Sequence, residues 1–454
     1  MAEQTGILQT EAGNRFHYHD LAELQAELDH LGVRLPLTQE LNLLNQPVII
    51  GQGRSPNRLA IHPMEGCDGA ADGSPSEMTR RRYRRFADGG AGLLWMEATA
   101  VVPEGRANPR QLWLHRNNLP AFRAMVHEVD QLAPQKPYKV LQLTHSGRYA
   151  KPDKARPQVA VSNPYLDRPG QQLEIMSDDQ LAGLVPAYVE SARLAQLAGF
   201  DAVDIKACHR YLISELLSAH TRPGSYGGSL TNRTRLLLDI VRAVRAEVSL
   251  DLAVRLNAYD EIPFPYGWGV QPDDFHRPDL AEATWLLHQL AAAGVVLVDV
   301  TGGNPYYNPH VNRPYDQGPY RSPEHQLIHA AKLLGAVRDL KAAEPSVRYI
   351  ATGLSWFRQL GGPLAAGLIH EQWSDLTGFG RQAFAYPGFA ADLLAGKGMD
   401  SRLCCIACSK CSEIMRDGGM AGCVVKDSAL YLDVYKAGRA GKDSISSNRL
   451  AEHV

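Results

Sequence analysis

The stretch that decides the fold is FDAVDIKACHRYL, residues 200–212. Its first half predicts a β-strand that follows a helix ending at Gly199, and its second half predicts a loop. A cation, an imidazole and a phenol fall where the strand gives way to the loop, at Lys206, His209 and Tyr211. Functional groups collect at the carboxyl ends of strands in parallel α/β folds. The stretch therefore predicts a parallel α/β protein with chemistry at this strand end.

Short apolar strand patterns alternate with helical patterns along most of the chain. The predicted strands are Leu59–His62, Gly92–Glu97, Lys139–Thr144, Ala202–Lys206, Leu252–Asn257, Val295–Thr301, Arg348–Thr352 and Asp375–Gly378. The predicted helices include Asp178–Leu197, Leu230–Ala246, Ala281–Ala293, His325–Leu340 and Trp356–Leu360. This alternation predicts an α/β fold, a (β/α)8 TIM barrel whose right-handed crossovers place every strand's carboxyl end on one face.

Three parts of the chain are expected. Residues 1–50 form an N-terminal extension with one amphipathic helix, from Asp20 to Leu31. Residues 51–400 form the barrel, and residues 401–454 form a cysteine-rich segment followed by a tail. The glycine- and charge-rich sequence after Tyr435 predicts a loosely ordered tail.

Composition excludes some classes of function. The 454 residues are 44% hydrophobic and 21% charged, and the formal net charge is −2, as in ordinary soluble enzymes. This charge gives no reason to expect a nucleic-acid or membrane partner. The N-terminus lacks the pattern of a signal peptide, and no apolar run is long enough to span a bilayer, so a cytoplasmic location is expected. The sequence leaves open whether the protein forms a homo-oligomer.

Two motifs carry a family resemblance. The segment TRPGSYGGSLTNR, residues 221–233, resembles the Arg-x-Asp-x-Tyr-Gly-Gly-Ser-x-x-Asn-Arg signature of the Old Yellow Enzyme family of NADH:flavin oxidoreductases. Residues 206–211 resemble the His-x-x-His/Asn-x-Tyr active-site strand of this family, with Lys206 in place of the first His. The resemblance covers roughly residues 55–430 and implies an FMN-dependent oxidoreductase on a TIM barrel.

The resemblance also implies a set of flavin contacts. They are Pro63, Met64, Ala98, Gln142, Arg255, Gly353, Gly380 and Arg381. Gln142 is expected at the pyrimidine edge and Arg255 beside the N1–C2 carbonyl, where it stabilises the anionic reduced ring. Gly353, Gly380 and Arg381 follow strands seven and eight, whose loops often hold phosphate in barrels. A simpler reading makes Arg255 the partner of a buried carboxylate. Cys67 departs from the family, in which many relatives have a tyrosine.

The catalytic residues implied by the resemblance are Lys206, His209 and Tyr211. Lys206 and His209 are expected to hold the carbonyl oxygen of a small-molecule substrate, and Tyr211 to donate a proton. A cation favours enolate-like charge more strongly than a neutral imidazole and repels a cationic amine. The simpler alternatives are a Lys206 ammonium that reaches water or pairs with Asp204, and a Tyr211 ring that only fills the core.

The seven cysteines are unevenly distributed, because five of them crowd one segment near the C-terminus. Cys405, Cys408 and Cys411 are separated by two residues each, and Cys423 follows after eleven more. Four thiolates so spaced can hold a [4Fe–4S] cluster. Structural zinc, the alternative, more often uses two separate Cys-x-x-Cys pairs. The segment resembles the cluster loop of the family branch that contains 2,4-dienoyl-CoA reductase and trimethylamine dehydrogenase. Cys404 is left over and is expected to pack in the interior.

Three functions follow from these observations. The first is reduction of an activated C=C bond by hydride transfer from flavin N5. The second is an amine dehydrogenase of the trimethylamine dehydrogenase type, favoured by the cysteine spacing and disfavoured by Lys206. The third is an electron-transfer flavoprotein subunit. No Gly-x-Gly-x-x-Gly follows a strand, so electrons are expected from external NAD(P)H or a separate electron-transfer partner.

Overall fold

The computed structural model describes residues 15–151 and 156–440. Its strands are β1 (Val48–Ile50), β2 (Gly53–Ser55), β3 (Leu59–Ile61), β4 (Leu93–Ala100), β5 (Tyr138–Thr144), β6 (Gln158–Val159), β7 (Glu174–Ile175), β8 (Ala202–Ile205), β9 (Asp251–Asn257), β10 (Val295–Thr301), β11 (Arg348–Ala351) and β12 (Leu376–Phe379). Eight of the described strands close a parallel barrel in the order β3-β4-β5-β8-β9-β10-β11-β12, with β12 pairing back to β3. The predicted (β/α)8 TIM barrel is confirmed.

Helices surround the barrel and follow its strands. They are α1 (Leu21–His30), α2 (Glu77–Asp88), α3 (Leu119–Leu132), α4 (Asp178–Ala182), α5 (Val185–Ala198), α6 (Leu212–Leu217), α7 (Leu230–Glu247), α8 (Ala281–Ala292), α9 (Pro309–Asn312), α10 (Gln326–Ala343), α11 (Gly361–His370), α12 (Arg381–Ala385), α13 (Phe389–Leu394), α14 (Lys410–Arg416) and α15 (Ser428–Arg439). Short 3-10 helices lie at Leu41–Asn45, Pro103–Gly105, Arg116–Asn118, Gly147–Tyr149 and Leu354–Leu360.

Some element boundaries differ from the prediction. The single helix predicted over Asp178–Leu197 is two helices, because α4 ends at its Gly183 cap and α5 starts with a proline in its first turn. The helix predicted at Trp356–Leu360 is a 3-10 helix, and the longer α11 follows it. Helix α11 begins with a Gly-Gly-Pro run. Such a run is typical of a break between helices, so the sequence did not indicate this helix. Helix α15 also extends past Tyr435 to Arg439, and residues 441–454 lie outside the described part.

The barrel interior is closed at one end. An apolar cluster fills that end, with Trp95, Leu297 and Ile350 among its fully buried members. The hairpin of β1 and β2 covers it, and Val48 and Ile50 of the hairpin belong to the same cluster. This packing seals the amino-terminal ends of the strands, so polar side chains from the strands are directed to the opposite, carboxyl-terminal face.

One carboxylate joins three distant parts of the chain. The side chain of Asp316, in the loop after β10, accepts hydrogen bonds from Phe16 N (3.0 Å), Trp356 Nε1 (2.7 Å) and Arg358 Nη2 (2.7 Å). The backbone N–H of Asp316 donates to Ala407 O in the cysteine-rich segment (3.1 Å). The N-terminal extension, the loops after β10 and β11 and the cysteine-rich segment are therefore anchored at one point. Within the described ranges, every helix is too short or too polar to cross a membrane.

Candidate active site

A large cavity opens at the carboxyl ends of the barrel strands, and together with its solvent-open mouth it encloses about 1120 Å³. Every residue predicted for flavin contact or catalysis lines it: Pro63, Met64, Ala98, Gln142, Lys206, His209, Tyr211, Arg255, Gly353, Gly380 and Arg381. The structure thus brings the predicted residues together, whereas their individual roles stay predictions.

Lys206 follows the last residue of β8 and points into this cavity. Its side chain is 5% exposed, and its ammonium nitrogen lies 3.7 Å from the centroid of the Tyr211 ring. Among the described residues, none forms a hydrogen bond or ion pair with this ammonium. Asp204 instead accepts hydrogen bonds from Gln142 Nε2 (2.6 Å) and Trp95 Nε1 (2.9 Å). Burial lowers the pKa of Lys206. The alternative of a Lys206–Asp204 pair is therefore not supported.

His209 reaches the cavity because the chain turns sharply after β8. His209 and Arg210 have φ angles of 64° and 57°, in the left-handed region that non-glycine residues rarely adopt. The Arg210–Asp260 ion pair (2.6 Å), buried at both ends, anchors this turn. Asn312 Nδ2 lies 3.1 Å from His209 Nε2 and donates to Gly302 O (3.0 Å). Nε2 therefore accepts, and the neutral ring carries its proton on Nδ1. Burial lowers the pKa of His209 well below 6.5.

Tyr211 belongs to a wall of three tyrosines. Its hydroxyl lies 2.9 Å from the Tyr306 hydroxyl, and the Tyr306 ring stacks on Tyr149 with centroids 3.9 Å apart. Asn304 Nδ2 donates to the Tyr149 hydroxyl (2.7 Å) and fixes the far end of this wall. Burial raises the pKa of Tyr211 well above 10, so the phenol keeps its proton at neutral pH. Such a group is suited to donating a proton rather than to accepting one.

Two buried carboxylates, Asp204 and Asp299, contact two of the predicted flavin-binding residues. Asp204 holds Gln142 as described above, and Asp299 Oδ2 lies 2.9 Å from Arg255 Nε. His62 Nδ1 lies 3.0 Å from the same oxygen of Asp299. Arg255 thus has the buried carboxylate partner of the simpler reading and also lines the cavity. Because Asp299 is fully buried, it fixes the Arg255 guanidinium at one position in the cavity wall.

The loops after β11 and β12 have features that fit a phosphate group. Gly353 adopts a φ of 92°, which favours glycine, and a Cβ on Gly380 would stand 2.8 Å from Met64 Sδ. Arg381 Nη2 donates to Pro314 O (2.6 Å), whereas its buried Nη1 has no partner within the described residues. A close backbone approach and an unsatisfied guanidinium N–H are what an anion at this end would use. The residues present therefore fit FMN.

Several cavity residues were not predicted from the sequence. They are His62, Glu65, Pro305, Tyr306, Asn312, Arg313, Thr352, Ser355, Phe384, Ser412, Met415 and Arg416; Cys411, predicted as a cluster ligand, also lines the cavity. Four of them, Pro305 to Arg313, lie in the long loop after β10. Its density of asparagine, tyrosine and arginine was the available signal.

The four predicted cluster ligands line one small cavity next to the first. Cys405, Cys408, Cys411 and Cys423 surround an empty volume of about 360 Å³. Backbone N–H groups donate to their sulfurs, Ala407 N to Cys405 Sγ (3.4 Å) and Lys426 N to Cys423 Sγ (3.3 Å). Hydrogen bonds to the ligand sulfurs are a feature of iron–sulfur sites. These residues fit a cluster in type, and the assignment stays a prediction.

The choice between a cluster and structural zinc stays a prediction. In the parts of the chain that the structure describes, no three His, Cys, Asp or Glu side chains stand close enough together to hold one ion. Cys404 is fully buried, and its sulfur accepts from Gln382 Nε2 (3.4 Å). Cys404 therefore packs in the interior, as expected.

Comparison with known proteins identifies the family. Residues 43–263 match the model of the NADH:flavin oxidoreductase / NADH oxidase family. The NADPH dehydrogenase of Bacillus pumilus (strain SAFR-032) is 33% identical over 253 residues, 54% of this chain and 69% of that protein. The NADPH dehydrogenase of Listeria welshimeri serovar 6b is 32% identical over 256 residues, with the same two coverages.

Solved structures share the fold. A structure of 2-naphthoyl-CoA reductase with 2-naphthoyl-CoA has a TM-score of 0.71 at 20% identity and matches 85% of this chain. Histamine dehydrogenase from Rhizobium sp. 4-9 has a TM-score of 0.67 at 19% identity and also matches 85%. This chain spans 57% of the length of the first and 52% of the second. Morphinone reductase has a TM-score of 0.61, and the match covers 92% of its chain.

The barrel, its cavity and these relatives define an FMN-dependent oxidoreductase. The chain belongs to the NADH:flavin oxidoreductase / NADH oxidase family, in which the Old Yellow Enzyme resemblance had placed it.

Proposed function

We propose that this protein is an FMN- and [4Fe–4S]-dependent reductase of an activated C=C bond, of the enone or enoyl type. The observation that carries the proposal is the convergence of Lys206, His209 and Tyr211 on the cavity that the predicted flavin residues line. FMN, when bound, supplies the hydride. The groups of the chain then have two tasks, to hold the oxygen of the activating carbonyl and to deliver a proton.

Lys206 and His209 are the proposed carbonyl-binding pair. The ammonium of Lys206 forms no ion pair among the described residues, and the Glu65 carboxylate of the same cavity acts on it only from beyond ion-pair distance, so it is available to a substrate oxygen. The neutral His209 ring offers its Nδ1–H as the second donor. Donors that are already fixed before the reaction stabilise negative charge on the oxygen as it develops. This arrangement favours a carbonyl, including a thioester carbonyl, as the activating group.

Tyr211 is the proposed proton donor to the α-carbon. Its hydroxyl shares a 2.9 Å hydrogen bond with Tyr306. The Tyr306 side chain is 37% exposed. The two phenols thus form one hydrogen-bonded pair in the cavity wall, and the pair orients the Tyr211 hydroxyl.

Amine dehydrogenation is the second candidate. The Cys-x-x-Cys-x-x-Cys spacing and the wall of three tyrosines favour it, because aromatic faces attract ammonium groups. The ammonium of Lys206, however, already lies on the Tyr211 ring. A cationic substrate would have to displace a charge of the same sign, which makes this the weaker proposal.

The electron source proposed is NAD(P)H, in keeping with relatives named NADPH dehydrogenase. The cysteine-rich segment would hold the [4Fe–4S] cluster and connect the flavin to a separate electron-transfer partner. Cys411 supports this arrangement, because it lines both the large cavity and the cysteine cavity.

A pair of half-reactions tests the proposal. Purified anaerobically, the protein should be reduced by NADPH or NADH and reoxidised rapidly by an enone or an enoyl thioester. Flavin reduction by a tertiary amine, without reoxidation by any alkene, would favour the amine dehydrogenase instead. Failure of both alkenes and amines to change the flavin spectrum would favour an electron-transfer subunit.

A further inference from the structure

Two arginines from different loops approach each other at the end of the large cavity, where Gly353 and Gly380 also lie. We propose that Arg313 and Arg381 together bind the FMN phosphate, and that Arg313 ties this phosphate to the cysteine-rich segment. The inference rests on FMN occupying the cavity as proposed above. Arg381 was expected there from the sequence, whereas Arg313 comes from the loop after β10 and was not.

The backbone places the two guanidinium groups at the same end. Arg381 Nη2 donates to the carbonyl of Pro314 (2.6 Å), the residue that follows Arg313. A Cβ on Gly353 would stand 3.9 Å from Pro314 Cδ, so the loop after β11 meets the same point. Both arginines line the large cavity. Three loops thus converge on one short stretch of chain beside the cavity.

The charges at this end are not balanced by the protein. Within the described part of the chain, neither Arg313 nor Arg381 forms an ion pair with a carboxylate, and each has a buried N–H without a partner, Arg313 Nε and Arg381 Nη1. Burial and the like charges of Arg381 and Arg416 lower the pKa of Arg313 to about 10. A buried cation at Arg381 and a partly buried one at Arg313, neither with a carboxylate partner, are costly alone, and a phosphate dianion that accepts from both offsets this cost.

Arg313 also has a fixed connection on its other side. Its Nη2 donates to Ser412 Oγ (2.8 Å), and Ser412 follows Cys411 in helix α14. A phosphate that holds the Arg313 guanidinium therefore also holds the first turn of α14. By linkage, the factor by which bound phosphate stabilises this turn is also the factor by which the ordered turn strengthens phosphate binding. The segment predicted to hold the cluster and the phosphate end of the flavin site are thereby coupled.

Comparison of two flavins isolates the phosphate contact, because riboflavin lacks the phosphate and keeps the ring. Flavin-depleted full-length protein is titrated with FMN and with riboflavin, followed by quenching of flavin fluorescence. Arg313→Gln should weaken FMN about 10- to 100-fold, the usual effect of losing a charged hydrogen bond, and leave riboflavin nearly unchanged. Ser412→Ala, a smaller change that spares the charge, should weaken FMN several-fold with the same selectivity. Arg402→Gln, an exposed arginine of the same segment paired with Asp400, is the control and should change neither affinity.

The outcomes separate this inference from the proposed site. Equal effects of Arg313→Gln on both flavins, or no effect on either, would overturn the role of Arg313. A second variant, Arg381→Gln, tests whether the phosphate lies at this end of the cavity at all. If it selectively weakens FMN while Arg313→Gln and Ser412→Ala do not, only the present inference fails. If Arg381→Gln also leaves the ratio of the two affinities unchanged, the phosphate lies elsewhere and the proposed flavin placement fails with it.

Discussion

The ammonium of Lys206 lies on the face of the Tyr211 ring, with its nitrogen 3.7 Å from the ring centroid. This contact joins the residue proposed to bind the substrate oxygen to the residue proposed to donate the proton. A cation on an aromatic face is attracted by the ring quadrupole, and the attraction grows when water is excluded. Lys206 is therefore held in place by the ring and forms no ion pair within the described residues, although the charge of Glu65 acts on it from a greater distance.

Removing the charge of Lys206 should impair catalysis and leave flavin binding intact. We expect Lys206→Met, which keeps an apolar stem, to lower turnover of an enone or enoyl thioester by ~10²–10³, the usual loss for one oxyanion donor. FMN content and the thermal unfolding midpoint should stay near those of the unaltered protein. Steady-state kinetics and the flavin spectrum check both expectations, and full activity in Lys206→Met would exclude the carbonyl-binding role.

Tyr211→Phe should affect only one of the two half-reactions. Reduction of the flavin by NAD(P)H needs no proton from this phenol, so its rate should stay near normal. Reoxidation by an alkene should slow by ~10²–10⁴, the range for loss of a general acid. Stopped-flow absorbance measures each half-reaction separately. Tyr149→Phe, at the far end of the tyrosine wall, is the matched control, and an equal slowing there would argue for a packing effect.

The cysteine prediction has an internal control in Cys404. Replacing Cys405, Cys408, Cys411 or Cys423 by Ser should lower the iron and sulfide content and bleach the broad visible absorption. Cys404→Ser should retain both, because its sulfur is buried against Gln382 and outside the cysteine cavity. Iron and sulfide assays with visible spectra decide the matter. Stoichiometric zinc in place of iron would show that the assignment is wrong.

His145 should make stability depend on pH. Burial lowers the pKa of this neutral side chain from 6.5 to about 4, and its Nδ1 accepts from Gly147 N (3.1 Å). Because the unfolded chain takes up the proton first, stability is fully present above pH 6.5 and falls as the pH drops towards 4, by at most about 3 kcal/mol. His145→Gln should flatten this slope in denaturant unfolding between pH 7.5 and 4.5. His127→Gln, at an exposed position of α3, should not.

The sequence was most informative where a functional residue lies at or just after the end of a strand. Lys206, Arg255 and Gly353 could be placed at one face because the strand period and the crossover rule fix where parallel strands end. Arg313 and Tyr306 could not, since they lie in a long loop without a period. The partnership of His62 with Asp299 was also hidden, because it joins strands β3 and β10, which are not neighbours in the barrel.

The carboxylate of Asp316 has a consequence for the order of maturation. It joins Phe16, the second described residue of the chain, to a loop 300 positions later, and its backbone holds Ala407 in the cysteine-rich segment. Closing so long a segment of chain costs conformational entropy, which favours late formation of such contacts in folding. We therefore expect loading of the proposed cluster to be the last event in the biogenesis of this protein. Iron and sulfide supplied after refolding should restore the cluster as fully as iron and sulfide present throughout refolding.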